Sequence, residues 1–287
     1  MRPANLPTAG ADILAGAAIA GAVSTQIPFT LTTAFCDLVL LFISSVALYA
    51  GGVVLNDYFD ADLDAIERPE RAIPSGLINK KEALLFGLAW LFLGLILAYL
   101  VNQTSLIIAI VLAFCILLYD ARAKRHAFAG ALAMGVCRGL NLLLGISILG
   151  GLAHWPLAGI PILYIFAITL ISQGEVHGGN KRNLLLAGTI YVSVILIVLY
   201  VVNAQESLNG ISIGAIAVFA LAILIPWYRA FRSPEPRLIK KAVIAGVLSI
   251  ILLDVIFAAS FGHISYAFFV LLLLPISMGL GSLFKVT

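Results

Sequence analysis

The sequence predicts an all-α fold, a polytopic integral membrane protein with nine or ten transmembrane helices, and three observations carry that reading. Of its 287 residues 62% are hydrophobic and 11% charged, whereas soluble domains carry about 25% charged residues. No water-soluble core buries so much apolar side chain, so the bilayer must be the solvent for most of it. The apolar residues fall into runs of about 20, the length that crosses a hydrocarbon core. The lysines and arginines collect in alternate gaps between those runs, as the positive-inside rule expects of a multi-span chain.

In chain order the runs lie near residues 7–25, 33–57, 82–101, 104–120, 128–151, 157–176, 184–203, 210–229, 239–261 and 265–284. The first contains Asp12 and the fourth is short. The final pair reads as two spans or as one span with an interfacial segment, hence nine or ten. Because the chain opens on Met1-Arg2-Pro3 and its first run is rich in Gly and Ala and carries Asp12, that run is not expected to be a cleavable signal. Cys36, Cys115 and Cys137 sit in apolar runs without metal-type spacing and are expected to be small core residues.

With ten spans, Arg2, Arg68, Arg71, Lys80, Lys81, Arg122, Lys124, Arg125, Lys181, Arg182, the cluster from Arg229 to Lys241 and Lys285 all share one side. The opposite loops, NQTS, GGLAHWP, NAQESLNG and SFGHIS, contain no Lys or Arg. The basic side is therefore expected to be cytoplasmic, with both termini on it. No internal repeat or linker interrupts residues 1–287, which are expected to form one transmembrane domain.

The chemistry concentrates in NDYFDADLDAIERPERAIPSG, Asn56 to Gly76. Asn56, Asp60 and Asp64 recur every four residues, so on a helix they stack along one face, drifting about 40° per step. Oxygen ligands in such a row suit a hard cation, and Mg2+ takes few carboxylates, several waters and the oxygens of a phosphorylated substrate. Arg68 and Arg71 follow, suited to bidentate contact with the same phosphates, and Pro74 and Gly76 mark a turn. A solvated acidic helix terminus with charge-paired arginines has the same spacing, which by itself leaves both readings open. Asp57, Asp62, Glu67 and Glu70 are expected to point elsewhere, into solvent.

This stretch resembles the first aspartate-rich motif of the UbiA superfamily of intramembrane prenyltransferases, N-D-x-x-D-x-x-x-D followed by an Arg-rich segment ending near R-P-[IL]-P-S-G. MRPANLPTAGADILAG resembles the family's opening helix, and LLYDARAKR its Tyr- and Lys/Arg-bearing loop. The resemblance implies a ring of helices around a central cavity open to the cytoplasmic side. It also implies Mg2+ as cofactor, a prenyl diphosphate and a small-molecule acceptor as partners, and a multi-pass place in a bacterial inner membrane; no nucleic acid is expected. Asp60, Asp64, Glu175 and Lys124 are then the catalytic candidates. Asn56, Asp60, Asp64, Glu175 and Asn180 are candidate metal ligands, and Arg68, Arg71, Lys124 and Arg125 candidate diphosphate contacts.

The second acidic motif departs from the family pattern. D-x-x-x-D is replaced by SQGEVHGGNKRN, where Glu175 holds the first position and Gly179 the second. A second metal would then be held weakly, through Asn180 or His177, or not at all. GEVHGGN and CRGLNLLLG resemble the UbiA-like branch found in ebo gene clusters (EboC-like), whose neighbours imply a polar, cyclitol-type acceptor in secondary metabolism. Within the spans, Asp12, Arg138 and Asn141, with His177 beyond them, are the candidate acceptor pocket, because a charge at mid-helix normally faces a cavity or a partner. Arg138 lines that pocket or neutralises Asp12 or Asp37. The competing functions are CDP-alcohol phosphotransfer, whose D-G dipeptide is missing, and a non-catalytic carrier or assembly protein that keeps the fold.

Overall fold

The computed structural model describes residues 5–23, 33–175, 178 and 181–283, and every described regular element is helical. Among the described residues there are eleven α-helices: α1 (Leu6–Ile19), α2 (Thr33–Glu67), α3 (Lys80–Val101), α4 (Gln103–Ala121), α5 (Ala127–Ile146), α6 (Gly159–Ser172), α7 (Lys181–Ala204), α8 (Gly210–Arg232), α9 (Pro236–Phe261), α10 (Ile264–Leu271) and α11 (Leu273–Leu283). Among the described residues, nine helical segments are long and apolar enough to cross a membrane, with α10 and α11 together forming the ninth.

Three elements differ from the sequence expectation, each for a physical reason. α2 continues ten residues beyond the expected end, to Glu67. Nothing between Asn56 and Glu67 breaks a helix; Pro69 does, by forcing the residue before it out of the α region. At 1.5 Å per residue this 35-residue helix is about 52 Å long, well beyond a hydrocarbon core of about 30 Å, so the acidic motif rides on its protruding end. α1 has only 14 residues, about 21 Å, too short to span. Twelve of them are buried in protein. The last run breaks at Leu272, and Pro275 stands in the first turn of α11, where its missing N–H costs no helical bond.

Side-chain caps set several other boundaries. Asn79 and Glu82 form a reciprocal capping box at the start of α3, and Asn209 with Ser212 does the same for α8. Asn102 accepts from the Ser105 amide and donates to the carbonyls of Ser147 and Ile148, tying α4 to the end of α5. Tyr164 Oη donates to the Gly246 carbonyl at 2.8 Å, joining α6 to α9 within the largest apolar cluster.

Glycines bring α1 and α5 into close approach. A Cβ on Gly16 would lie 2.6 Å from the Leu142 carbonyl oxygen, and one on Gly145 would lie 2.7 Å from the Ile13 carbonyl oxygen. α1 and α5 therefore touch backbone to backbone, the small-residue packing that membrane helices use where no hydrophobic drive separates them from lipid. α1 also packs on α2 and α9. The wall it completes encloses a cavity of about 1330 Å³ whose lining comes from α1 to α6 and α9, with the α2–α3 loop and the loop after α4.

Candidate active site

The mouth of the cavity is where the C-terminal ends of α2, α4 and α6 meet, and the loops after them carry the predicted chemistry. Asn56, Asp60 and Asp64 all line it, from one face of the α2 extension. The loop after α2 folds back over the cavity: the Arg71 carbonyl accepts from the Ser75 amide, and Gly76 takes φ +77° at the expected turn. The α6 end is held by Gln173, whose side chain donates to the Ala127 carbonyl and accepts from Asn183. Glu175 follows two residues on and lines the cavity.

Two cations of the chain's own occupy the acidic face. Lys124 Nζ lies 2.6 Å from Asp60 Oδ1 and 3.0 Å from Asn56 Oδ1. Asn56 donates its amide to Asp60 Oδ2 at 3.1 Å. One turn further, Arg71 Nη1 lies 2.7 Å from Asp64 Oδ2 and 3.8 Å from Asp57 Oδ1. Among the described residues, carboxylates outnumber basic groups on the cavity wall: Asp57, Asp60, Asp64, Glu82, Asp120 and Glu175 against Arg71, Lys124 and Arg138.

Deeper, Arg138 and Asn141 reach the cavity from α5. Arg138 Nε lies 2.7 Å from Asp12 Oδ2, and its guanidinium also donates to the Thr8 hydroxyl and carbonyl. Asn141 donates to Asp12 Oδ2 at 2.8 Å and to the Ala9 carbonyl, and accepts from the Ser45 hydroxyl. Asp12 is 1% exposed and lies behind the wall rather than on it. Of the two partners open to Arg138, Asp12 and Asp37, it takes Asp12. Asp254, on α9, is buried beside the same carboxylate.

The structure thus brings Asn56, Asp60, Asp64, Arg71, Lys124, Glu175, Arg138 and Asn141 onto one surface. Arg68 and Arg125 are exposed and lie off it. His177 and Asn180, like Arg2 and Pro3, lie outside the described residues. Sequence reasoning missed Asp57 and Asp120, both on the wall. Asp57 was legible: positions 57, 60 and 64 have the i, i+3, i+7 spacing, which returns to within about 20° of the same face. For Asp120 the signal was an acid closing an apolar run four residues before a lysine.

The donors fit a magnesium ion. Lys124 Nζ already sits as a cation between an amide oxygen and a carboxylate oxygen, the hard-oxygen environment that Mg2+ requires. Among the described residues no three His, Cys, Asp or Glu side chains are gathered into a closed cage, in keeping with an ion that retains waters and substrate oxygens.

Comparison with known proteins bears on the family and the fold. The model of the UbiA prenyltransferase family matches residues 13–244. A digeranylgeranylglyceryl phosphate synthase from Methanothrix thermoacetophila is 36% identical over 156 residues, 54% of this chain and 54% of that protein. The chain spans about half the length of the first curated relatives it matches. The apo structure of a UbiA homologue from Aeropyrum pernix K1 superposes with a TM-score of 0.69 at 18% identity, over 89% of this chain and 96% of that one. A UbiA homologue from Archaeoglobus fulgidus, bound to GPP and Mg2+, gives 0.61 at 16% identity, over 94% and 99%. At such identities the superpositions establish the fold. With the family model covering most of its length, the chain belongs to the UbiA prenyltransferase family.

Proposed function

We propose that the protein transfers a prenyl group from a prenyl diphosphate to a hydroxyl of a polar, phosphate-bearing acceptor, at the cavity mouth and on the cytoplasmic side of the membrane. The observation that carries this reading is the charge imbalance of the wall. A diphosphate cannot enter a cleft with six carboxylates and three basic groups unless cations enter with it. Asn56, Asp60, Asp64 and Glu175 would hold Mg2+ there; that the Archaeoglobus fulgidus homologue is bound to GPP and Mg2+ supports the choice of ion. Bound Mg2+ would supply charge neutralisation of the leaving diphosphate.

The chain's own residues do the rest. Lys124 and Arg71 exchange their carboxylate partners for diphosphate oxygens and stabilise the charge that grows there as the allylic C–O bond breaks heterolytically. The apolar wall from Leu48, Leu112, Ile116, Ile165 and Ile250 takes the isoprenoid and keeps water from the prenyl cation. The acceptor oxygen then attacks that cation, and its proton leaves to the departing diphosphate. Arg138 and Asn141 present the polar surface nearest the acceptor's path.

The cyclitol-type acceptor expected from the ebo-cluster resemblance finds no support among the relatives. Their names point to a glyceryl phosphate, the acceptor class adopted here. Membranes containing the protein, given labelled geranylgeranyl diphosphate, Mg2+ and a glyceryl phosphate ether, should release diphosphate and form a prenylated product. Asp60→Ala or Asp64→Ala should abolish this while the protein still inserts. Binding of the diphosphate without turnover on any acceptor would favour the carrier reading.

A further inference from the structure

Asp120 ends the last turn of α4 at the cavity mouth, outside both acidic motifs. It is 3% exposed, lines the cavity, and its Oδ2 has no hydrogen-bond partner among the described residues. The charges acting on it are those of Lys124, which attracts it, and of Asp60 and Asp57, which repel it. The C-terminal end of a helix, with its outward carbonyls, adds to the repulsion. Lys124 is already shared between Asp60 and Asn56. A buried carboxylate oxygen among like charges calls for a further cation.

The sequence also lacks an acid that would otherwise serve such a cation. The segment after α6 contributes Glu175 but has glycine at position 179, where the family pattern places a second acid. We propose that Asp120 is a ligand of a second Mg2+ that enters with the diphosphate, so that α4 supplies the carboxylate missing after α6. Asp120 Oδ2 and one neighbouring carboxylate would provide the protein ligands, with waters and phosphate oxygens completing the octahedron. Because no three acidic side chains are gathered among the described residues, the ion should bind only when diphosphate supplies oxygens of its own. The inference rests on the reading of the cavity as a prenyl diphosphate site.

The test counts Mn2+ bound to the purified full-length protein by electron paramagnetic resonance, with and without inorganic pyrophosphate, so no turnover is needed. With pyrophosphate the wild type should take up two ions. Asp120→Asn, which keeps volume and removes charge, should weaken the second ion at least about tenfold and leave the first in place. Asp120→Glu, which moves the charge by one methylene, should keep both ions with the second measurably weaker. Two ions held at wild-type affinity by Asp120→Asn would overturn the proposal, as would a single ion in the wild type. Should Asp120→Asn not fold, Asp120→Glu decides: an unshifted second ion overturns the assignment. If pyrophosphate brings no Mn2+ to the wild type at all, it is the diphosphate reading itself that fails.

Discussion

Arg138 Nε lies 2.7 Å from Asp12 Oδ2, an ion pair that joins α5 to α1 inside the membrane-embedded part of the protein. Asp12 is fully enclosed and its second contact is the Asn141 amide. Removing one partner of a buried pair strands the other charge, at a cost of about 3–5 kcal/mol. Asp12→Asn and Arg138→Met should each destabilise the protein by that order in unfolding measured in detergent. The double variant should recover most of the loss, because neither charge then remains.

Lys124, in the loop after α4, bridges Asn56 and Asp60 of α2. If it passes to the diphosphate during catalysis, Lys124→Gln should lower kcat/KM for the prenyl diphosphate by about tenfold or more, the scale of a hydrogen bond to a charged group. Arg125→Gln is the control, since Arg125 is exposed and off the cavity wall. Equal effects in the two variants would show that the loop contributes only diffuse positive charge.

The α1–α5 seam makes a packing prediction. The atoms facing Gly145 are backbone atoms of Ile13 and Asp12, which cannot rotate away. Gly145→Ala should therefore cost about 1–3 kcal/mol. Gly151→Ala, with nothing within 4 Å of its Cβ, should stay within about 0.5 kcal/mol of wild type. Thermal unfolding of the two side by side checks the difference.

Orientation is tested by labelling. In a background without Cys36, Cys115 and Cys137, a cysteine at Asn203 should react with an impermeant maleimide added to intact cells, and one at Ser75 should not. Both positions are exposed. The reverse pattern would put the acidic mouth on the outside, away from cytosolic substrate.

Much of the fold was legible because a bilayer leaves few choices: every backbone group must be satisfied within a helix, so apolar runs of spanning length map onto helices almost one to one. The site was legible where its residues share one helix, as Asn56, Asp60 and Asp64 do. It was not legible where helices must converge. Nothing local in the chain says that Asp120 of α4 faces Asp60 of α2, or that Arg138 chooses Asp12 over Asp37. The second pairing depends on how α1 sits, and its seat depends on glycines that meet backbone rather than side chain.

The brevity of α1 has a consequence for how the protein is made. Made before every other described helix, it is too short to cross a bilayer, and it carries an aspartate whose mid-helix insertion costs roughly 2.5–3.5 kcal/mol. The groups that stabilise it, Arg138 and Asn141 on α5 and the surface of α9, are synthesised long afterwards. Lipid alone therefore gives α1 no stable resting place, and its seating must wait until α9 has been integrated. Synthesis order and assembly order run opposite here, so a ribosome-arrested chain ending before Pro236 should leave α1 open to protease, whereas the completed chain protects it.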